Sequence, residues 1–183
     1  HARLFSRSPH YGGSFLSGQW LTQHIYEHYR FSRDPQVLQQ YWDILTSATR
    51  FAASWVIPGP KEGELMGRSA VSPENLFQYT DESGEDRVGS ISAGNSYDQF
   101  LIMQAFSDYL EAAEVLGKMD DPFVQQVAQM LPKVYRPRIG EDGRLMEWRL
   151  PFRERDPGHR HISHVIGAYP GNQINLDNDP EMR

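Results

Sequence analysis

Two pairs of adjacent stretches carry apolar residues at helical spacing, and this pattern constrains the fold more than any other feature of the chain. The first pair covers residues 14–56 and the second covers residues 97–131, with only a few residues between the two members of each pair. Apolar side chains that recur every three or four positions form one face of an amphipathic helix, and short connections make two such helices antiparallel neighbours. The sequence therefore predicts two helical hairpins.

Boundary signals agree with this pattern. Asp34-Pro35 begins the second helix, with Asp34 as the cap and Pro35 at the first helical position, and the fourth helix follows Asp120-Asp121-Pro122. Gly117 follows the third helix, where a left-handed residue is favoured. We predict helices within residues 14–32, 35–56, 97–116 and 122–131.

Long connectors lie between and after the hairpins. Residues 57–96 and 132–161 are rich in glycine, proline and acidic residues, and Glu141-Asp142-Gly143 predicts a β-hairpin turn. Loops of this length in a compact domain are usually functional. We expect an all-α fold of the α/α toroid type, with long loops and a small β-hairpin, in which the loops build a site at one end.

Composition removes several functional classes. The chain has 183 residues, 18 Lys and Arg against 24 Asp and Glu, and no cysteine. A net charge of −6 gives no general attraction for nucleic acid, and no apolar run approaches the roughly 18 residues that membrane insertion needs. The absence of cysteine excludes disulfides and thiolate chemistry.

Glu74 is the first candidate for chemistry. It follows Ser72-Pro73 and precedes Asn75-Leu76-Phe77, an amide and two large apolar residues. A carboxyl group that loses hydration favours its protonated form, as a general acid requires. The alternative is a helix start, with Ser72 as the cap and Glu74 in the first turn.

A second candidate is the cluster of histidines and arginines within residues 153–164. His159, His161 and His164 suggest a metal site, but no single helix or strand presents all three, and the neighbouring arginines oppose a cation. Arg160 and His161 also suit recognition of an anion or of sugar hydroxyl groups. A solvated charged turn is the third interpretation.

Trp20 forms one row with His24 and His28 along the first helix, because the three are spaced four residues apart. This row suits a seam against a neighbouring helix. It also suits an apolar platform beneath a sugar ring.

Together these segments resemble glycoside hydrolase family 95, the inverting α-L-fucosidases and related α-L-galactosidases. The matching stretches, in the order of the family, are residues 18–29, 72–75, 138–143, 147–148, 156–164 and 169–171. The resemblance implies a partial (α/α)6 toroid, an oligosaccharide or glycan substrate, a secreted or periplasmic enzyme, and no cofactor or metal. It implies that Glu74 is the general acid, that Arg160 and His161 contact the substrate, and that Trp20 belongs to the sugar pocket.

The family's remaining catalytic parts are not found among these residues. The resemblance implies two water-orienting asparagines upstream of the first helix and an aspartate base beyond Arg183. The chain begins at His1 and ends after Asp179-Pro180, a pattern typical of a helix start. We therefore expect residues 1–183 to be part of one catalytic domain that is truncated at both ends, and to be inactive alone.

Two other classes of function remain open. A non-catalytic helical scaffold predicts a regular repeat, which residues 14–56 and 97–131 do not share. A polysaccharide lyase needs a base and positive charge beside a uronate, which Tyr169 and the arginine cluster supply.

Overall fold

A computed structural model describes residues 11–175 of the chain, which form four α-helices and seven short β-strands. The helices are α1 (Ser17–Ser32), α2 (Pro35–Trp55), α3 (Ser96–Val115) and α4 (Pro122–Met130). All four helices predicted from periodicity are confirmed to within a few residues at each end. None of the helices in this part of the chain has both the length and the apolar character needed to cross a lipid bilayer.

The predicted cap at Asp34 is also confirmed, and Asp121 caps α4 in the same way. The Asp34 carboxylate accepts a hydrogen bond from the backbone N–H of Gln36 at 2.9 Å, and Asp121 accepts one from Phe123 at 2.7 Å. Each such cap contributes about 1 kcal/mol to helix stability. Gly117 has a φ of 65°, a conformation that glycine adopts without steric cost.

The long connectors contain strands, which the sequence did not predict. The strands are β1 (Val56–Pro58), β2 (Leu65–Gly67), β3 (Ser69–Val71), β4 (Phe77–Thr80), β5 (Asp86–Gly89), β6 (Ile91–Ala93) and β7 (Arg153–Glu154). They form three small sheets, in which β1 pairs with β2, β3 pairs antiparallel with β6, and β4 lies between β5 and β7.

The expectation of an all-α chain, a partial (α/α)6 toroid, is therefore wrong, and the described residues form a mixed α and β fold. The strands have only two to four residues, too few for an alternating pattern to be visible. Non-local backbone pairing stabilises them: Ala70 lies opposite Ser92, and Phe77 lies opposite Glu154. The predicted hairpin turn is confirmed, with Ile139 bridged antiparallel to Leu145 and Gly143 at a φ of 77°.

The described residues divide into two compact units. The helical unit comprises Leu16–Met66 and Leu101–Tyr135, and the sheet unit comprises residues 11–15, 67–100 and 136–175. Helix α3 contributes its first turn to the sheet unit and the remainder to the helical unit.

The helical unit is held by side chains between its helices. The Gln19 side chain on α1 donates a hydrogen bond to the Ala48 carbonyl on α2 at 2.8 Å, and the Trp42 ring stacks on Tyr109 of α3 at 4.7 Å. Its buried apolar residues include Leu38, Leu45, Ala52, Ile102, Phe106, Val124 and Val127.

The sheet unit has an aromatic cluster at its centre, formed by Phe77, Trp148 and Phe152. The Phe77 and Phe152 rings stack with centroids 4.1 Å apart, and Trp148 packs edge-on against Phe77 at 5.3 Å. Phe77 is the first residue of β4, so this cluster fixes the strand that leads back to Glu74.

Candidate active site

The pairing of β4 with β7 brings the two candidate segments together. Glu74 lies just before β4 and Arg160 lies shortly after β7, and the two strands are antiparallel. The start of one antiparallel strand lies beside the end of its partner. A further backbone hydrogen bond, from Arg155 N–H to the Leu76 carbonyl at 2.9 Å, extends this pairing toward Glu74.

Glu74 contacts both predicted substrate residues. Arg160 Nη2 donates a hydrogen bond to Glu74 Oε2 at 2.7 Å, and His161 Nε2 lies 3.4 Å from the same oxygen. The structure thus places three of the four predicted site residues in direct contact.

Two local expectations about Glu74 are wrong. Residue 74 lies in a turn between β3 and β4 and not at the start of a helix. Its side chain is 30% exposed and faces Arg160 and His161, so its surroundings are polar and not the apolar ones expected from Leu76 and Phe77. The Phe77 side chain instead packs into the aromatic cluster.

Hydrogen bonds hold the segment around Glu74 in a fixed conformation. The Ser163 hydroxyl donates to the Pro73 carbonyl, and the backbone N–H of Asn75 donates to the Ser72 carbonyl at 2.8 Å. The Asn75 side-chain oxygen also accepts a hydrogen bond from the N–H of Leu76 at 2.8 Å. Both residues that flank Glu74 are therefore anchored.

A second carboxylate, Glu147, is buried beside this segment and was not singled out by the sequence reasoning. It is 5% exposed, it accepts a hydrogen bond from Asn75 Nδ2 at 2.8 Å, and its Oε2 lies 3.6 Å from His164 Nδ1. Burial raises the pKa of Glu147 above its usual range, while the Ser72 and Asn75 side chains and the nearby His164 act in the opposite direction. The available signal was the Glu147-Trp148 pair, which lies in one of the segments that match the family.

Two cavities adjoin these residues. The larger, of about 680 Å³, is lined by His161, His164 and Glu147 among others, and the smaller, of about 250 Å³, by Glu74, Arg160 and Tyr11 among others. Asn75 and His159 line both. The volume of the smaller cavity is enough for a single sugar ring.

The three histidines of the cluster have different partners. His159 Nδ1 accepts a hydrogen bond from the backbone N–H of His161 at 3.2 Å, whereas the His161 ring faces Glu74 and the His164 ring faces Glu147. Among residues 11–175, no group of three or more His, Cys, Asp or Glu side chains is arranged to hold a metal ion.

Trp20 and Tyr169 complete the set of predicted residues. Trp20 lies on α1 in the helical unit and is 43% exposed. His24 and His28, on the same face, are also exposed. Among the described residues, the buried face of α1 is a different one, which includes Gln19, Gln23, Tyr26 and Tyr29. Tyr169 is 85% exposed and lines neither cavity.

A carboxyl group that contacts an arginine and a histidine beside a cavity is a candidate for proton transfer to a polar substrate. The comparison with known sequences identifies which enzymes the chain resembles. Residues 3–183 match the sequence model of the glycosyl hydrolase family 95 catalytic domain. The chain belongs to this family.

Curated relatives agree with this assignment. The chain is 33% identical over 168 residues to alpha-L-fucosidase 2 of Arabidopsis thaliana. This match covers 91% of this chain and 19% of the relative. It is 28% identical over 132 residues to the probable alpha-fucosidase A of Aspergillus oryzae and 26% identical over 159 residues to that of Aspergillus niger. These matches cover 64% and 83% of this chain and 18% of each relative. The chain thus spans about a fifth of the length of the relatives it matches.

Proposed function

We propose that residues 1–183 form part of one catalytic domain that cleaves terminal α-L-fucosyl or α-L-galactosyl residues from oligosaccharides by inverting hydrolysis. Membership of the glycosyl hydrolase family 95 and the fucosidase relatives support the reaction class. The observation that carries the proposal is the contact of the Glu74 carboxyl with both Arg160 and His161. Glu74 and Arg160 line the smaller cavity, and His161 lines the larger one.

Glu74 is the general acid in this proposal. Its Oε2 is held by Arg160 and His161, and Oε1 takes no part in these two contacts. A protonated carboxyl in this position donates its proton to the glycosidic oxygen as the bond to the sugar breaks. Without that proton the departing oxygen would leave as an alkoxide, which is a poor leaving group.

Arg160 and His161 bind the sugar in this proposal. The arginine side chain is a rigid donor only, and the imidazole ring both donates and accepts, so together they suit the hydroxyl groups of a monosaccharide. For Trp20 the family resemblance supports a separate proposal, an apolar face on which a sugar ring can lie. The reaction needs an acid, a base and water, and the proposal includes no cofactor and no metal.

Inversion also requires a base on the opposite face of the sugar, about 6.5–9.5 Å from the acid. Glu147 does not suit that role, because its Oε1 is closed to solvent and its Oε2 is bonded to Asn75. We assign the base to an aspartate, and the orientation of the attacking water to asparagines, outside the 183 residues.

The experiment that tests Glu74 compares two substrates of the full-length protein. Glu74→Gln is expected to abolish cleavage of a fucosyl oligosaccharide, whose leaving group needs protonation, and to spare much more activity on an activated aryl fucoside, which needs little. Glu82→Gln, at an exposed turn of the sheet unit, is the matched control and is expected to leave both rates unchanged. Equal losses on both substrates would refute the role of Glu74 as the acid.

A further inference from the structure

We propose that Glu147 is a positioning residue for the proton donor. Its buried carboxylate contacts the segment that carries Glu74 on one side and the segment that carries His161 on the other, and so holds acid and sugar-binding groups in one arrangement. This inference rests on the proposed function of Glu74.

The contact toward Glu74 runs through Asn75. Asn75 is 2% exposed, and each end of its side-chain amide is bonded: Nδ2 donates to Glu147 Oε2 at 2.8 Å, and Oδ1 accepts from the Leu76 N–H at 2.8 Å. This arrangement fixes the orientation of the amide. Because Asn75 follows Glu74 directly, the backbone that carries the acid is fixed with it.

The contact toward His161 runs through His164. His164 Nδ1 lies 3.6 Å from Glu147 Oε2, and His164 belongs to the turn of 3-10 helix Ser163–Gly167 that follows His161. Its neighbour Ser163 donates a hydrogen bond to the Pro73 carbonyl. The two segments are thus joined twice, once through Glu147 and once directly.

Glu147 itself is firmly anchored. The N–H of Ser96, at the start of α3, donates a hydrogen bond to the Glu147 carbonyl at 3.0 Å. The next residue, Trp148, is 2% exposed and belongs to the aromatic cluster. A group that positions catalytic residues needs such support, since a misplacement of about 1 Å lowers rates by about 100-fold.

Glu147 lines the larger cavity, but its carboxylate is almost fully enclosed by neighbouring side chains. The Glu147 side chain is 3% exposed, and its Oε1 has no solvent contact. A buried carboxylate is costly unless it is paired. Its partners here, Asn75 and His164, lie beside the two segments of the proposed site, which is the placement expected of a group that acts through them.

The test uses Glu147→Ala in the full-length protein with the two substrates named above. Loss of the contact is expected to lower kcat on the fucosyl oligosaccharide by about 100-fold and kcat on the activated aryl fucoside by about 10-fold or less, with KM little changed. In Glu147→Gln the side-chain oxygen still accepts the hydrogen bond from Asn75. This variant is expected to regain most of the kcat on the fucosyl oligosaccharide that Glu147→Ala loses. Asn75→Ser leaves Glu147 in place. Like Glu147→Ala, it is expected to lower kcat on the fucosyl oligosaccharide more than kcat on the activated aryl fucoside.

The matched control is Asp108→Ala in the helical unit. Like Glu147, Asp108 is 5% exposed and accepts a hydrogen bond from a side-chain amide, in this case from Gln104 Nε2 to Asp108 Oδ1 at 2.7 Å. Its loss is expected to lower thermal stability and to change kcat on both substrates by the same factor. If Glu147→Ala and Asn75→Ser each lower kcat on the two substrates by the same factor, Glu147 has a structural role only and the inference is overturned. If Glu74→Gln lowers the rates on the two substrates by different factors and Glu147→Ala lowers them by the same factor, this inference alone is refuted. If Glu74→Gln also lowers both rates by the same factor, the proposed function is refuted.

Discussion

Arg160 donates a hydrogen bond to Glu74 Oε2 at 2.7 Å, although 86 residues separate the two in sequence. The Arg160 side chain is 70% exposed, and exposed ion pairs contribute about 0–1 kcal/mol to stability. The contact therefore adds little to folding. Its expected importance lies in fixing a planar donor group beside the proposed acid.

Arg160→Lys tests that importance. Lysine keeps the charge but loses the planar fork of donors, so we expect kcat/KM on a fucosyl oligosaccharide to fall about 10- to 100-fold, the effect of one lost charge-assisted hydrogen bond. The melting temperature of the full-length protein is expected to change little. Arg87→Lys is the control, because Arg87 forms exposed ion pairs with Asp81 and Glu85 away from the cavities. An unchanged kcat/KM in Arg160→Lys would contradict the prediction.

Gly89→Ala tests the support of β4. A Cβ atom at Gly89 would lie 2.5 Å from the Phe77 ring, which is closely packed between Phe152 and Trp148. We expect overpacking to lower the free energy of unfolding by about 1–3 kcal/mol in chemical denaturation. Gly18→Ala on α1 is the control, since a Cβ there meets nothing within 4 Å and alanine favours a helix.

A double variant separates packing from other causes. Phe77→Leu removes the ring atoms that a Cβ at residue 89 would meet, so the cost of Gly89→Ala is expected to shrink in its presence. Additive losses in the double variant would show that Phe77 is not the origin of the effect.

Free sugars test the class of substrate. A ligand that binds only the native state raises stability by about 1.4 kcal/mol at ten times its Kd. We expect fucose or galactose to raise the melting temperature of the full-length protein and glucuronate to have no effect. Stabilisation by glucuronate instead would favour a lyase, and no response to any of these sugars would favour a scaffold.

The sequence predicts the helices of this fold well because their signals are local. Asp34 and Asp121 cap helices within their own first turns, and Gly117 adopts the left-handed conformation its position predicts. The strands depend on partners far away: β4 forms only where residues 86–89 and 153–154 lie beside it. No local period of two or 3.6 residues marks such a pairing.

Part of the candidate site was predictable and part was not. Glu74, Arg160 and His161 carry charge or hydrogen-bonding groups in distinctive segments, and they lie together. Glu147 was missed because what distinguishes it is a buried carboxylate, and burial depends on tertiary packing that the local sequence does not reveal. On α1 the buried face includes Gln19 and Gln23, which hydrophobic periodicity cannot indicate.

Asp108 gives the helical unit a specific pH dependence. Burial raises the pKa of Asp108 to about 7, with nearby Glu111 and Glu27 acting in the same direction and Gln104 and Arg30 in the opposite one. The unfolded chain has a pKa near 3.9 at this position, so between about pH 4 and pH 7 the folded state binds more protons. The contribution of Asp108 to stability is therefore fully present below about pH 4 and is lost as the pH rises through 7.

Asp108→Asn removes this titration and keeps the side-chain oxygen that accepts from Gln104 Nε2. We expect the free energy of unfolding of the variant, measured relative to the native protein in urea, to rise between pH 4 and pH 8 by up to about 4 kcal/mol. The difference between the two proteins cancels the titration of every other group that the substitution leaves unchanged. Asp43→Asn, at an exposed position of α2, is the control and is expected to show no such slope. A difference that stays flat across this range would show that Asp108 is ionised at an ordinary pKa in the folded protein.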